Sequence, residues 1–185
     1  MYFFLLPVFV YSSLGLTYYG QYLSPFLDRL QTALPSARNR PSLFIAVGPP
    51  AFTSLSFALL AEQSLRLFPA ISAPPTKGPI AGESLYSVLL VAALSLWGLS
   101  AWLFMIALAA NLSKVHRAVV DLQMFALVFP NAGFALASLQ LSKMMGQPKV
   151  LEVAAEVLAI AVVLAWVGVV VAVGFALASG RLFRR

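Results

Sequence analysis

Two short clusters inside the apolar runs of this sequence combine helix-breaking residues with polar side chains. The first comprises Gly48, Pro49, Pro50, Thr53 and Ser56, and the second Pro130, Asn131, Gly133 and Ser138. Neither holds a nucleophile beside a base, a pair of carboxylates or a metal-binding set, so acid–base, covalent and metal-assisted catalysis lack their usual groups. The chain has no cysteine and a single histidine, His116, which removes disulfides, thiolate metal sites and histidine-built zinc sites. The expectation is a protein that is not an enzyme and carries no cofactor or metal.

What remains is the chemistry of backbone groups released by a broken helix. Pro49 and Pro50 remove two helix donors and leave the carbonyls of Ile45 and Ala46 without partners. In hydrocarbon those groups must meet protein or water. Pro49, Thr53 and Ser56 recur at i, i+4 and i+7, which puts the break and two hydroxyls on one face. Asn131 and Ser138, seven apart, also share a face, and Gly133 and Ala137 permit close packing. Two readings stay open for each cluster: hydroxyls and amide that bond within and between helices, or a polar path across a membrane.

The elements that must position these residues are membrane spans. Of 185 residues, 61% are hydrophobic and 10% charged, with a mean hydropathy of +0.91. Soluble domains run nearer about half apolar and about a quarter charged. Too few charges remain to coat a water-exposed surface, which argues against a soluble enzyme or a nucleic-acid binder. The spacing predicts an all-α integral membrane protein with a single transmembrane domain, 1–185, and five spans at about 1–22, 42–66, 84–112, 118–142 and 152–179. The apolar cores at 1–22, 42–61, 85–112, 122–141 and 157–178 contain no Asp, Glu, Lys or Arg. Segment 1–22 has no basic n-region and no small-residue cleavage site, so it reads as a retained span, not a signal peptide.

The connections carry the charge. Arg29, Arg38, Arg40, Lys114, Arg117, Arg181, Arg184 and Arg185 fall on one side, against Arg66, Lys77, Lys143 and Lys149 on the other. This excess predicts a cytoplasmic C-terminus. It also keeps the sequon at Asn111 away from glycosylation. The net charge of +6 fits topology and attraction to anionic lipid. Glu62 and Arg66, four apart, are placed to pair at a helix end. The third and fifth spans are smooth and poor in polar atoms, suited to face lipid, with Gly168 and Ala172 open to a close neighbour. The second and fourth break and carry the polar groups. A kinked, mildly polar inner set shielded by a smooth outer set is what a neutral pore wall requires.

At these two spans the sequence resembles a known family. The run Arg40-Pro41-Ser42-Leu43-Phe44-Ile45-Ala46-Val47-Gly48-Pro49-Pro50-Ala51-Phe52-Thr53 and the run Phe129-Pro130-Asn131-Ala132-Gly133-Phe134 look like the tellurite-resistance/dicarboxylate transporter family, within the voltage-dependent anion channel superfamily. The similarity is nearest to its fungal malic-acid branch; plant slow anion channels and fungal sulfite efflux pumps are relatives. The resemblance implies ten helices in five hairpins around one pore, often assembled as trimers, with odd-numbered helices lining the pore. The five spans would be helices six to ten, the C-terminal half of that fold, and the second and fourth would be inner helices seven and nine. Phe129 matches, by its place before the proline, a phenylalanine that plugs the pore.

The implied function is transport of malate-like C4-dicarboxylates through a neutral, phenylalanine-gated pore in the plasma membrane. Its partners would be a small organic or inorganic anion, the lipid bilayer and further copies of the chain, with no nucleic acid. The alternatives are sulfite efflux by the same fold, or a truncated membrane subunit that does not transport. A half-length chain would need a second copy, or a longer polypeptide, to close a pore.

Overall fold

The computed structural model describes residues 28, 36–67, 81–113, 122–146 and 148–179. The expected first span, 1–22, and the proline-rich connection 68–80 lie outside the described residues. The described residues form helices and no strand. The principal α-helices are α1 (Gly48–Leu67), α2 (Ala81–Leu112), α3 (Phe129–Met144) and α4 (Lys149–Ala178). A 3₁₀ segment, Ala37–Val47, leads directly into α1, and a second, Leu122–Leu127, leads into α3.

Among the described residues, four helices are long and apolar enough to cross a membrane: Asn39–Leu67, Gly82–Leu112, Met124–Met144 and Lys149–Ala178. They occupy the second to fifth of the apolar stretches. In the apolar windows of the two broken helices, 50% and 44% of residues are buried, against 17% and 11% for α2 and α4. The broken helices therefore pack in the middle and the smooth ones lie outside. α1 packs on both α2 and α3, while α4 packs on α3 and its lead-in. The turn between α3 and α4 relies on Gly146, whose φ of +79° is the left-handed conformation that a glycine ends a helix with most readily. Pro148 then stands just ahead of α4, where its missing N–H leaves no gap.

Small residues set how closely α1 and α2 approach. Ala51, Ser54, Ala58 and Ala61 recur at intervals of three and four along α1, and each is fully buried. Ala93, Ser100 and Ala107, seven apart on α2, are equally closed. Lipid tails are as apolar as leucine, so helices in a membrane gain by close van der Waals contact, which small side chains allow. Serines bind the seam. Ser54 donates to the Ala93 carbonyl at 2.7 Å, Ser64 to the Gly82 carbonyl at 3.2 Å, and Ser100 to the Val47 carbonyl at 3.4 Å. The third span is thus less bland than its apolar composition implies, because Ser100 and Trp97 turn toward the inner helices. Leu43, Phe44, Leu103 and Phe134 join Ala51 and Ala107 of the seam in the larger buried cluster.

Ala58 offers a direct test of the seam, being fully buried against Ala93 and Leu141. Ala58→Leu is expected to lower stability by about 1–3 kcal/mol through overpacking, read as a lower thermal midpoint in detergent. Val163→Leu, at an exposed position of α4, should leave the midpoint unchanged.

Candidate functional site: two helix breaks packed together

The first break is a change of winding, not a kink within one α-helix. Ala37–Val47 is wound as 3₁₀, and the Gly48 N–H donates to the Ile45 carbonyl, three residues back. The expectation of an unpartnered carbonyl at Ile45 is therefore corrected, because the 3₁₀ register brings the donor one residue forward. α1 begins at Gly48, so Pro49 and Pro50 fall in its first turn, where an N–H has no partner within the helix to lose.

The second break repeats this design. After the 3₁₀ segment, Val128 N–H donates to the Phe125 carbonyl at 3.0 Å, α3 begins at Phe129, and Pro130 lies in its first turn. Asn131 donates through Nδ2 to the Leu127 carbonyl at 2.7 Å, tying the new helix to the last turn of the old winding. Its Oδ1 is buried and has no hydrogen-bond partner. A buried amide oxygen without a donor is costly, so this atom is the strongest unmet polar demand at the site.

The two breaks meet. A methyl added at Gly48 would lie 3.4 Å from Pro130 Cβ, in ordinary contact. One turn further on, Gly133 faces Phe52 so closely that an added methyl would sit 2.6 Å from Phe52 Cε2. The Phe52 ring in turn packs on Phe129, with centroids 5.1 Å apart and planes inclined at 31°. Phe129 itself is 71% exposed, and Phe52 is half-buried.

Gly48, Pro49, Pro50, Pro130, Asn131 and Gly133 thus gather where the helices break. The hydroxyls turn back on their own helices. Thr53 donates to the Pro49 carbonyl at 2.8 Å and Ser56 to the Phe52 carbonyl at 2.9 Å. Ser138 donates to the Phe134 carbonyl and accepts the Trp97 indole N–H, each at 2.8 Å, so it joins α3 to α2. Sequence reasoning passed over Phe52, which looked like one aromatic among many. Its place three residues after Pro49, matching Gly133 three after Pro130, is the signal that could have found it.

The two ends of the bundle differ in charge. Arg40 is buried, and its guanidinium donates to the Ala110 carbonyl at 2.6 Å and to Ser113 Oγ at 2.7 Å. Asn111 Nδ2 returns a bond to the Arg40 carbonyl at 3.0 Å and another to the Ala107 carbonyl at 2.8 Å. The amide of the sequon is therefore engaged within the fold. A cation at the C-terminal carbonyls of α2 complements its dipole. At the opposite end, Glu62 pairs with Arg66 at 3.2 Å, as the spacing predicts, and accepts from Gln140 Nε2 at 3.0 Å. That exposed pair contributes little stability. No cluster of metal ligands occurs among the described residues.

Comparison with known proteins places the chain in a family. The model of the voltage-dependent anion channel family matches residues 3–173, and the chain belongs to that family. It is 28% identical over 137 residues to a malic acid transport protein of Schizosaccharomyces pombe, a match that covers 72% of this chain. The chain spans 30% of that relative's length. No solved structure matches.

The Arg40 latch gives this site its own test. Arg40→Ala strips partners from the end of α2 and is expected to cost about 1.5–3 kcal/mol or more, the scale of a charged hydrogen bond. The check is the thermal midpoint in detergent, with Arg66→Ala, which removes an exposed pair, as the near-silent control.

Proposed function

We propose that this chain, as a member of the voltage-dependent anion channel family, forms part of the wall of an anion pathway, carries malate-like C4-dicarboxylates, and uses Phe129 as the gate. The observation that carries the reading is the apposition of two proline breaks inside apolar spans, with an exposed phenylalanine at the edge of one of them. Both α1 and α3 start at this level and run the same way through the bundle, with Gly48 against Pro130 at one end and Gln140 bonded to Glu62 at the other. The anion would pass apolar cores that carry no lysine or arginine. A neutral lining of that kind attracts the ion yet lets it leave, which a fixed cation at the same depth would oppose.

In this reading, Gly48, Pro49, Pro50, Thr53, Ser56, Pro130, Asn131, Gly133 and Ser138 belong to the lining. The small and proline residues supply room and interrupted backbone, and Asn131 Oδ1 supplies an acceptor for water or for a hydroxyl on the solute. The end that bears Arg40 faces the cytoplasm with the C-terminus, in the plasma membrane. Further helices around Phe129 come from more of the polypeptide or from other copies, in a trimer by analogy with the family. Malate is preferred to sulfite as the cargo because the related protein is a malic acid transport protein.

Flux of labelled malate into proteoliposomes that contain the natural protein tests the proposal. Phe129→Ala is expected to raise flux several-fold, whereas Phe129→Tyr, which keeps the ring, should hold it near the parent value. Unchanged flux in Phe129→Ala would count against the gate. Sulfite that abolished malate uptake at equal concentration would shift the cargo toward the inorganic anion.

A further inference from the structure

We infer that Phe52, which no part of the family motif singles out as a gate, is the positioning residue that holds the Phe129 ring in place, with Gly133 as its seat. The inference rests on the reading of Phe129 as the gate and names the group that controls it.

The geometry is a knob in a notch. Phe129 and Gly133 are four residues apart on α3 and therefore share a face. The phenylalanine forms a raised wall, and the glycine beside it a floor with no side chain. Phe52 enters from α1 and fills the notch. Its ring lies 5.1 Å from Phe129, and its Cε2, Cδ2 and Cζ atoms would be 2.6, 2.8 and 2.9 Å from a methyl group at position 133. Contacts that short leave no room for any side chain at 133 while Phe52 stays where it is.

The mobility of the gate follows from this. Among the described residues, the aromatic contact made by Phe129 is the one with Phe52, and the rest of the Phe129 ring is open at 71% exposure. The ring cannot turn toward Phe52, because that space is occupied. It can only swing away, and doing so breaks the stack. Phe52 is itself held by α1 one turn past the Pro49–Pro50 break, so a shift of that break moves Phe52 and releases or restores the stack. The two proline breaks are thereby linked through one aromatic contact.

The test uses malate flux in proteoliposomes with the natural protein and four variants. Phe52→Ala is expected to raise flux roughly two- to tenfold, the scale of losing one aromatic pair. Phe52→Tyr, which keeps the stacking ring, should restore the closed behaviour. In a Phe129→Ala background, Phe52→Ala should add nothing, because the ring it positions is gone. A purely structural role for Phe52 predicts instead lower flux from Phe52→Ala with or without Phe129.

Gly133→Ala supplies an independent arm. It displaces Phe52 and alters flux, and combining it with Phe52→Ala should relieve the clash and return the protein to the behaviour of Phe52→Ala alone. Should Phe52→Ala fail to accumulate, Phe52→Leu takes its place with the same expected rise. If Phe129→Ala opens the pathway while Phe52→Ala leaves flux unchanged, the positioning role is overturned and the gate stands. If Phe129→Ala itself has no effect, the gate reading falls first.

Discussion

A backbone carbonyl in hydrocarbon has no water to turn to, and the rest of this structure depends on how that demand is met at two prolines-rich breaks. In water, losing an N–H at Pro49, Pro50 or Pro130 would cost one bond that solvent could replace. Inside a bilayer the chain needs an internal answer. It changes winding. Each broken span approaches its proline as 3₁₀ and restarts as α, so that the prolines fall where a helix has spare donors and the final carbonyls of the lead-in meet Gly48 N–H or the Asn131 amide. Restarted helices must then be covered, and they cover one another: Gly48 lies against Pro130, and Phe52 against Gly133. The inner position of α1 and α3, and the outer position of α2 and α4, follow from that pairing.

Much of this was legible in the residues. The absence of charge from the apolar cores announced the spans, and the two proline clusters marked which helices would lie inside. The change in winding was not legible. A Pro-Pro pair reports that donors are missing, but it does not report whether the preceding turn will tighten to three residues per turn to compensate. The α1–α2 seam was also hidden. Ser54, Ala58, Ala61, Ser100 and Ala107 carry little weight in a hydropathy reading, yet their value here is size, which only a partner helix reveals. The hydroxyls of Thr53 and Ser56 bond carbonyls of their own helix, a partnering that the spacing alone did not specify.

Arg40 shows how one residue can serve two levels of organisation. As a sequence feature it belongs to the basic side of the chain, where it bears on orientation. In the fold it is buried, and it joins the start of one broken span to the last turn of α2 through Ala110 and Ser113. The serine bonds of the seam hold the same two helices farther along. The broken span is thus gripped both before and after its break, and the change of winding takes place between fixed points.

That grip has a mechanical meaning. A 3₁₀ helix rises about 2.0 Å per residue and an α-helix about 1.5 Å, so rewinding the 11-residue lead-in as α would shorten it by about 5–6 Å, roughly one α-helical turn. The eight residues from the Arg40 anchor to the Gly48 junction account for about 4 Å of that difference. Rewinding even two of those residues as α would shift the Gly48 junction by about 1 Å along the helix axis.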